Sequence, residues 1–369
     1  MGDASFVPGL ELCRRFHDEL VGPILGARFP ALRYSAGLLD SGSELLGFDT
    51  ARSTDHDWGP RLQLFLAPAD LSRAGTIHAA LRAELPGTFL GYPTRFSGDV
   101  DVGLGVASAG GSRHGVLITS PGHWLGWRLG FDPRRGVEVA DWLSLPTQRL
   151  AEVTGGGVFH DGLDGALGRV RAALAWYPDD VWRYVLACQW TRIGQEEHLM
   201  GRAGEAGDEL GSAVLAGRLA RDLMRLCLLL ERRYPPYGKW LGSAFGRLPS
   251  SGPIGRALTA ALAATGWRGR EEHLCRAYEA AGALSNATGL SRPVDPATRP
   301  FHDRPFRVLD AGRFATALRE AVGDPVLRGL PPVGAIDQYV DNTDALGDLD
   351  RCRAWTAALL RGEGRPNER

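Results

Sequence analysis

The sequence predicts an α+β protein: a mixed sheet with helices over residues 1–145, then an all-helical region over 146–369. Three observations predict it. Short apolar runs bounded by Gly, Pro and Asp recur before residue 120 and read as strands. From about residue 146, one segment after another repeats its apolar residues at helical spacing. At 369 residues the chain is also long for a single hydrophobic core, so two domains are the default expectation.

Taken in order, residues 8–29 bring Leu10, Leu12, Phe16, Leu20, Ile24 and Leu25 near helical spacing. Residues 33–39 read as a strand leading to the turn Gly42-Ser43, and 43–48 as a short helix. Residues 55–66 read as a second strand, which opens on Asp55-His56-Asp57 and closes on Leu62-Gln63-Leu64-Phe65-Leu66. A helix then runs to Leu85, with Asp70 its expected N-cap. After Pro86-Gly87 come β-like runs at 88–92, 100–106 and 115–119, with the glycine-rich 108–112 as a hairpin connection. Helical periodicity then marks 146–153, 163–174, 181–199, 205–233, 255–264, 271–284, 310–322 and 348–360. The longest of these sets Leu215, Leu219, Leu223, Leu226 and Leu230 on one stripe. The proline- and arginine-rich 291–307 is expected at the surface.

Composition narrows the function classes. A net charge of −1 provides no global basic field, which speaks against a long polynucleotide partner and for a small or localised one. The five cysteines are widely scattered, without a CxxC or Cys/His cluster, so neither a zinc site nor a disulfide framework is expected. The first 20 residues have no cationic segment followed by an apolar core, and no apolar run has the length to span a bilayer, so a soluble cytoplasmic protein is expected. Of 42 basic residues only Lys239 is a lysine; arginine does not replace its compact ammonium at a binding site, so it is a candidate functional cation.

The chemistry concentrates at 38–66. Carboxylates at i and i+2 of an extended segment project from one face, so Asp55 and Asp57 can share a hard cation such as Mg²⁺, with substrate phosphates as the other ligands. Gly42 and Ser43 add small residues whose backbone N–H groups can approach a phosphate, with a hydroxyl beside them. These are parts of a site for a metal-bound nucleoside triphosphate. Gly-Ser after a strand, followed about a dozen residues later by Asp-x-Asp, resembles the polymerase-beta-like nucleotidyltransferase superfamily, of which kanamycin nucleotidyltransferase is a member. The wider wording GSELLGFDTARSTDHDW is similar to a bacterial subfamily that joins this domain to a helical C-terminal domain of unknown function.

The resemblance implies a nucleotidyltransferase fold and transfer of an NMP group from an NTP to a small-molecule acceptor, with pyrophosphate released. It implies Asp55 and Asp57 as ligands of one or two Mg²⁺ ions, and Gly42 and Ser43 as holders of the β- and γ-phosphates. It also implies a third carboxylate on a neighbouring strand, for which Asp99, Asp101 and Glu138 are candidates; the run 115–119 has none. Lys239, in Tyr234-Pro235-Pro236-Tyr237-Gly238-Lys239-Trp240, is expected to bind the triphosphate. Glu196 and Asp208 are candidates on the acceptor side; their structural alternative is a helix-pinning ion pair, with Arg202 or Arg218 as partner. Trp142, Trp176, Tyr177 and Trp182 are expected in the core. Three functions stay open: a small-molecule nucleotidyltransferase, a nucleotide-binding regulator without catalysis, and a transferase acting on protein or RNA of a toxin–antitoxin kind.

Overall fold

The two apolar runs on either side of the Gly42 turn form the middle of a mixed sheet. A computed structural model describes residues 6–55, 58–96 and 113–361. Tyr34–Leu38 is β1 and Arg61–Leu66 is β2, antiparallel, with Tyr34 opposite Leu66 and Gly37 opposite Gln63. All of β1 is buried, as is β2 beyond Arg61, the pattern of strands covered on both faces. Gln63 is the polar exception, and its Oε1 accepts the Leu39 N–H at 2.8 Å, so the buried amide is satisfied by backbone just past β1.

Thr88–Phe89 (β3) and Tyr92–Pro93 (β4) form a small hairpin. Arg95–Phe96 (β5) pairs with Arg113–Thr119 (β6), and β6 lies parallel to β2, with Arg61 opposite Gly115. Gly157–Asp161 (β7) closes the other side antiparallel to β1, giving the order β5-β6-β2-β1-β7. The register shifts between Ala36 and Gly37, where a Cβ on Gly37 would lie 2.6 Å from the Gly157 carbonyl oxygen, so only glycine fits that contact.

The expected first helix is Gly9–Phe16 (α1) and Gly22–Arg28 (α2), joined through a π-turn at His17–Val21. With Ala74–Glu84 (α3), they bury Leu12, Phe16, Leu25, Ile77 and Leu81 against Leu62, Leu64 and Leu66 of β2. Three expectations change here. The chain before β2 is a 3₁₀ turn, Ala51–Asp55, and not the start of the strand. A 3₁₀ turn at Pro68–Arg73 precedes α3, so Asp70 is not its N-cap; its carboxylate pairs instead with Arg73 at 3.2 Å. Strand β7 also falls in a stretch read as helical. The run 100–106 and the loop 108–112 lie outside the described residues.

The remaining helices follow the sequence with additions. Pro121–Leu129 (α4) and Val139–Ser144 (α5), neither of them expected, precede Thr147–Thr154 (α6) and Ala166–Ala173 (α7). Two compact units emerge: Met1–Gly136 with Arg149–Ala175, and Val137–Gln148 with Trp176–Arg369. In the second unit the long helices Asp179–Glu205 (α8) and Glu209–Leu230 (α9) pack together, and Leu219, Leu223, Leu226 and Leu230 of the expected stripe are buried. Gly238–Gly246 (α10), Ser251–Ala263 (α11), Trp267–Ala287 (α12) and Gly312–Glu320 (α13) follow. After them come the short Pro325–Gly329 (α14), Ile336–Tyr339 (α15) and Thr343–Gly347 (α16). Leu349–Leu360 (α17) packs on α5.

The Pro/Arg-rich segment forms a hairpin from Arg299–Pro300 (β8) and Arg307–Val308 (β9). Trp142, Tyr177 and Trp182 are buried, as expected, in an aromatic cluster with Trp176 and Tyr234. The five cysteines carry free thiols. Among the described residues no helix is long and apolar enough to cross a membrane.

Candidate functional site

The turn after β1 is held by charge. Asp40 is buried and pairs with Arg128 of α4, Nη1 to Oδ1 at 3.2 Å; Arg128 Nη2 also donates to the Asp40 carbonyl at 2.8 Å and to Glu152 of α6 at 2.5 Å. Next to it, Arg61 at the head of β2 donates through Nη2 to the buried Glu44 at 2.5 Å and to the Ser41 carbonyl. Burial works against the Arg61 cation, but the charge and hydrogen bond of Glu44 outweigh it and hold the guanidinium above its usual range. These five charged side chains were not singled out by the sequence reading, because each lies inside an otherwise apolar segment and their pairing is non-local.

Between the two clusters stands Gly42, with φ +133° and ψ 155°. A Cβ there would lie 2.6 Å from Arg61 Nη2 and closer still to Glu44 Oε2, so both backbone geometry and space require glycine. Ser43 opens a 3₁₀ turn, Ser43–Leu46, which ends at the left-handed Gly47 (φ 67°). Ser43 is half-buried, and among the described residues neither its hydroxyl nor the Gly42 N–H has a hydrogen-bond partner. The expected Gly-Ser turn is therefore present, rigid, and offers unused donors.

The carboxylate pair is placed differently from expectation. Asp55 ends the 3₁₀ turn Ala51–Asp55, and Asp57 lies outside the described residues, so the i, i+2 strand geometry inferred for them does not apply. The cause is local: the Thr50 N–H bonds Ser53 Oγ at 3.1 Å and the Thr54 hydroxyl bonds the Ala51 carbonyl at 2.9 Å, which favours a turn over extended chain. Asp49 fixes both ends of this segment, since its Oδ2 accepts the Gly9 N–H at 2.6 Å and Trp58 Nε1 at 3.3 Å.

Of the third-carboxylate candidates, Asp99 and Asp101 lie outside the described residues. Glu138 belongs to the second unit, at the N-cap of α5, where its N–H donates to Asp141 at 3.1 Å. Strand β6, parallel to β2, has no carboxylate along its length. Among the described residues no three His, Cys, Asp or Glu side chains form a metal-holding group. For the expected Mg²⁺ the donor set is chemically apt, because two carboxylates supplemented by phosphate oxygens suit a hard, octahedral cation.

The other candidates lie in the second unit. Lys239 is exposed in the first turn of α10, its ammonium 4.9 Å from the Trp240 ring centre. Glu196 on α8 pairs with Arg218 on α9, Nε to Oε2 at 3.0 Å, the ion-pair alternative. Asp208 was expected to face inward with an arginine partner. It is instead exposed and caps α9, accepting the Gly211 N–H at 2.7 Å, because a carboxylate before a helix satisfies a free N-terminal donor.

Residues 142–241 match the model of a domain of unknown function (DUF4037), a segment that contains Glu196, Asp208 and Lys239. No curated protein and no solved structure matches the chain.

Proposed function

We propose that the protein is a metal-dependent nucleotidyltransferase that moves an NMP group from an NTP to a hydroxyl of a small-molecule acceptor. The observation that carries this reading is the Gly42 turn: a glycine that no other residue can replace, at the end of a buried strand and braced by two buried ion-pair clusters, with donors left free. Such a turn is what close approach of a phosphate to backbone requires. Asp55 and Asp57 would hold Mg²⁺, which when bound offsets charge on the phosphate oxygens. Gly42 and Ser43 would orient the β- and γ-phosphates, so that the acceptor oxygen forms its bond to the α-phosphorus as the bond to pyrophosphate breaks and the acceptor proton leaves to solvent.

One observation favours a second reading, nucleotide binding without transfer: β6 runs beside β2 and carries no third carboxylate. Calorimetry with the four NTPs in Mg²⁺, and with the Asp55→Ala/Asp57→Ala variant, tests both. Binding lost in the variant supports the site, and pyrophosphate release with an acceptor then separates transfer from binding alone. Absence of binding to any NTP by the folded protein overturns both readings.

A further inference from the structure

The second unit contains a small cleft where α8, α9 and α15 meet, about 270 Å³ including its open mouth, enough for an occupant of a handful of heavy atoms. Its charged lining is Arg192, Arg221 and Arg225 against Asp222, Asp337 and Asp341, three of each sign, so the wall is neutral. Two pairs lie deep. Arg192 Nε meets Asp222 Oδ2 at 2.8 Å, with Asp222 only 2% exposed, and Arg225 Nη2 meets Asp337 Oδ2 at 3.2 Å. The third, Arg221 with Asp341 at 2.8 Å, is at the rim, its side chains 34% and 75% exposed.

Asp337 is the unusual member. It is 8% exposed, and its Oδ2 accepts the Thr147 N–H at 3.0 Å and the Thr147 hydroxyl, yet its Oδ1 is buried without any hydrogen-bond partner. A buried acceptor left unpaired costs about 1–3 kcal/mol, and more when charged. The cleft therefore lacks one thing, a donor at Asp337. A bare cation would meet that need but leave a neutral, half-enclosed wall with unbalanced charge; a bare anion would leave Asp337 as it is. A ligand with both charges avoids both faults. Its carboxylate can take Arg221 in exchange for Asp341, since exposed pairs contribute only about 0–1 kcal/mol and open readily.

We propose that this cleft binds a small zwitterion, an α-amino acid being the simplest case, with its ammonium on Asp337 and its carboxylate on Arg221. The site is separate in residues from the nucleotide turn and does not depend on it. The test is thermal shift and calorimetry on the full chain with glycine, L-alanine, L-serine and 4-aminobutyrate, against acetate, methylammonium and phosphate. Saturable binding of any zwitterion, at least tenfold tighter than the three single-charge controls, is expected.

Arg221→Gln, an exposed change that leaves the fold intact, should weaken zwitterion binding at least tenfold. Asp337→Asn should do the same, because an amide can keep the Thr147 contact only by turning its NH₂ to the open position. Acetate or phosphate binding as tightly as the zwitterions overturns the proposal in favour of an anion site, and methylammonium doing so indicates a cation site. No saturable binding leaves a water pocket, and unchanged affinity in Arg221→Gln also overturns the assignment, whether or not Asp337→Asn folds.

Discussion

Glu197 shows how much one helical position changes. Its neighbour Glu196, the residue the sequence singles out, forms a partly exposed pair with Arg218, whereas Glu197 is 6% exposed and accepts the Leu309 N–H at 2.7 Å and the Ala311 N–H at 2.8 Å. Burial pushes its carboxyl up to about 7, against the opposing pull of those two donors. A folded-state value raised above the unfolded 4.5 means that Glu197 contributes stability fully below pH 4.5 and loses it as pH rises through about 7. The contribution is on the order of 3 kcal/mol. The urea midpoint of the wild type should therefore fall relative to that of Glu197→Gln between pH 4.5 and 7.5, and parallel curves would refute the assignment. Residue-scale detail of this kind was hidden in Gln195-Glu196-Glu197-His198, because which carboxylate turns inward depends on where the 307–311 segment packs. The Gly42 turn was readable because a glycine and a serine directly after an apolar run have few other uses.

At the scale of elements, α4 does the most that the sequence reading missed. Its Pro121-Gly122 start and internal Gly126 disguise the helix, and Arg128 within it is the common counter-ion of Asp40 and Glu152. Removing the shared cation of a buried group leaves uncompensated charge, which typically costs about 3–5 kcal/mol. Arg128→Met should lower the melting temperature by many degrees, and adding Asp40→Asn and Glu152→Gln to it should recover much of the loss. A triple variant no more stable than the single one would mean that Arg128 acts by packing. Strands β1 and β2 were recoverable from their sequence because both are runs of apolar residues without helical spacing. Strand β7 was not: its five residues acquire strand character only from Ser35, Ala36, Gly37 and Leu38, more than a hundred positions earlier. The 3₁₀ turn before β2 was missed for the opposite reason, since short-range Ser and Thr contacts override the extended pattern that Asp-x-Asp suggested.

At the scale of the molecule, neither unit is a continuous stretch of chain: the boundary is crossed after Gly136, after Gln148 and after Ala175. Residue 145, where the sequence changes character, is therefore a poor place to cut. A 1–145 fragment keeps β1 but lacks β7, so one edge of β1 is left unpaired, and it should elute as aggregate in size exclusion. The 146–369 complement loses α5, and with it the packing against α17 and the Asp141–Arg353 pair at 3.1 Å. A monomeric 1–145 fragment with a cooperative melt would show that β7 is dispensable. The late strand also sets a clock for the nascent chain. Gly157 is made 119 residues after its partner Leu38 (157 − 38), which at ~5–20 residues per second is roughly 6–24 s of synthesis. Throughout that interval the β1 edge emerges from the ribosome with nothing to cover it, and chaperone capacity during translation, rather than the final stability of the sheet, governs how much of the protein a cell obtains.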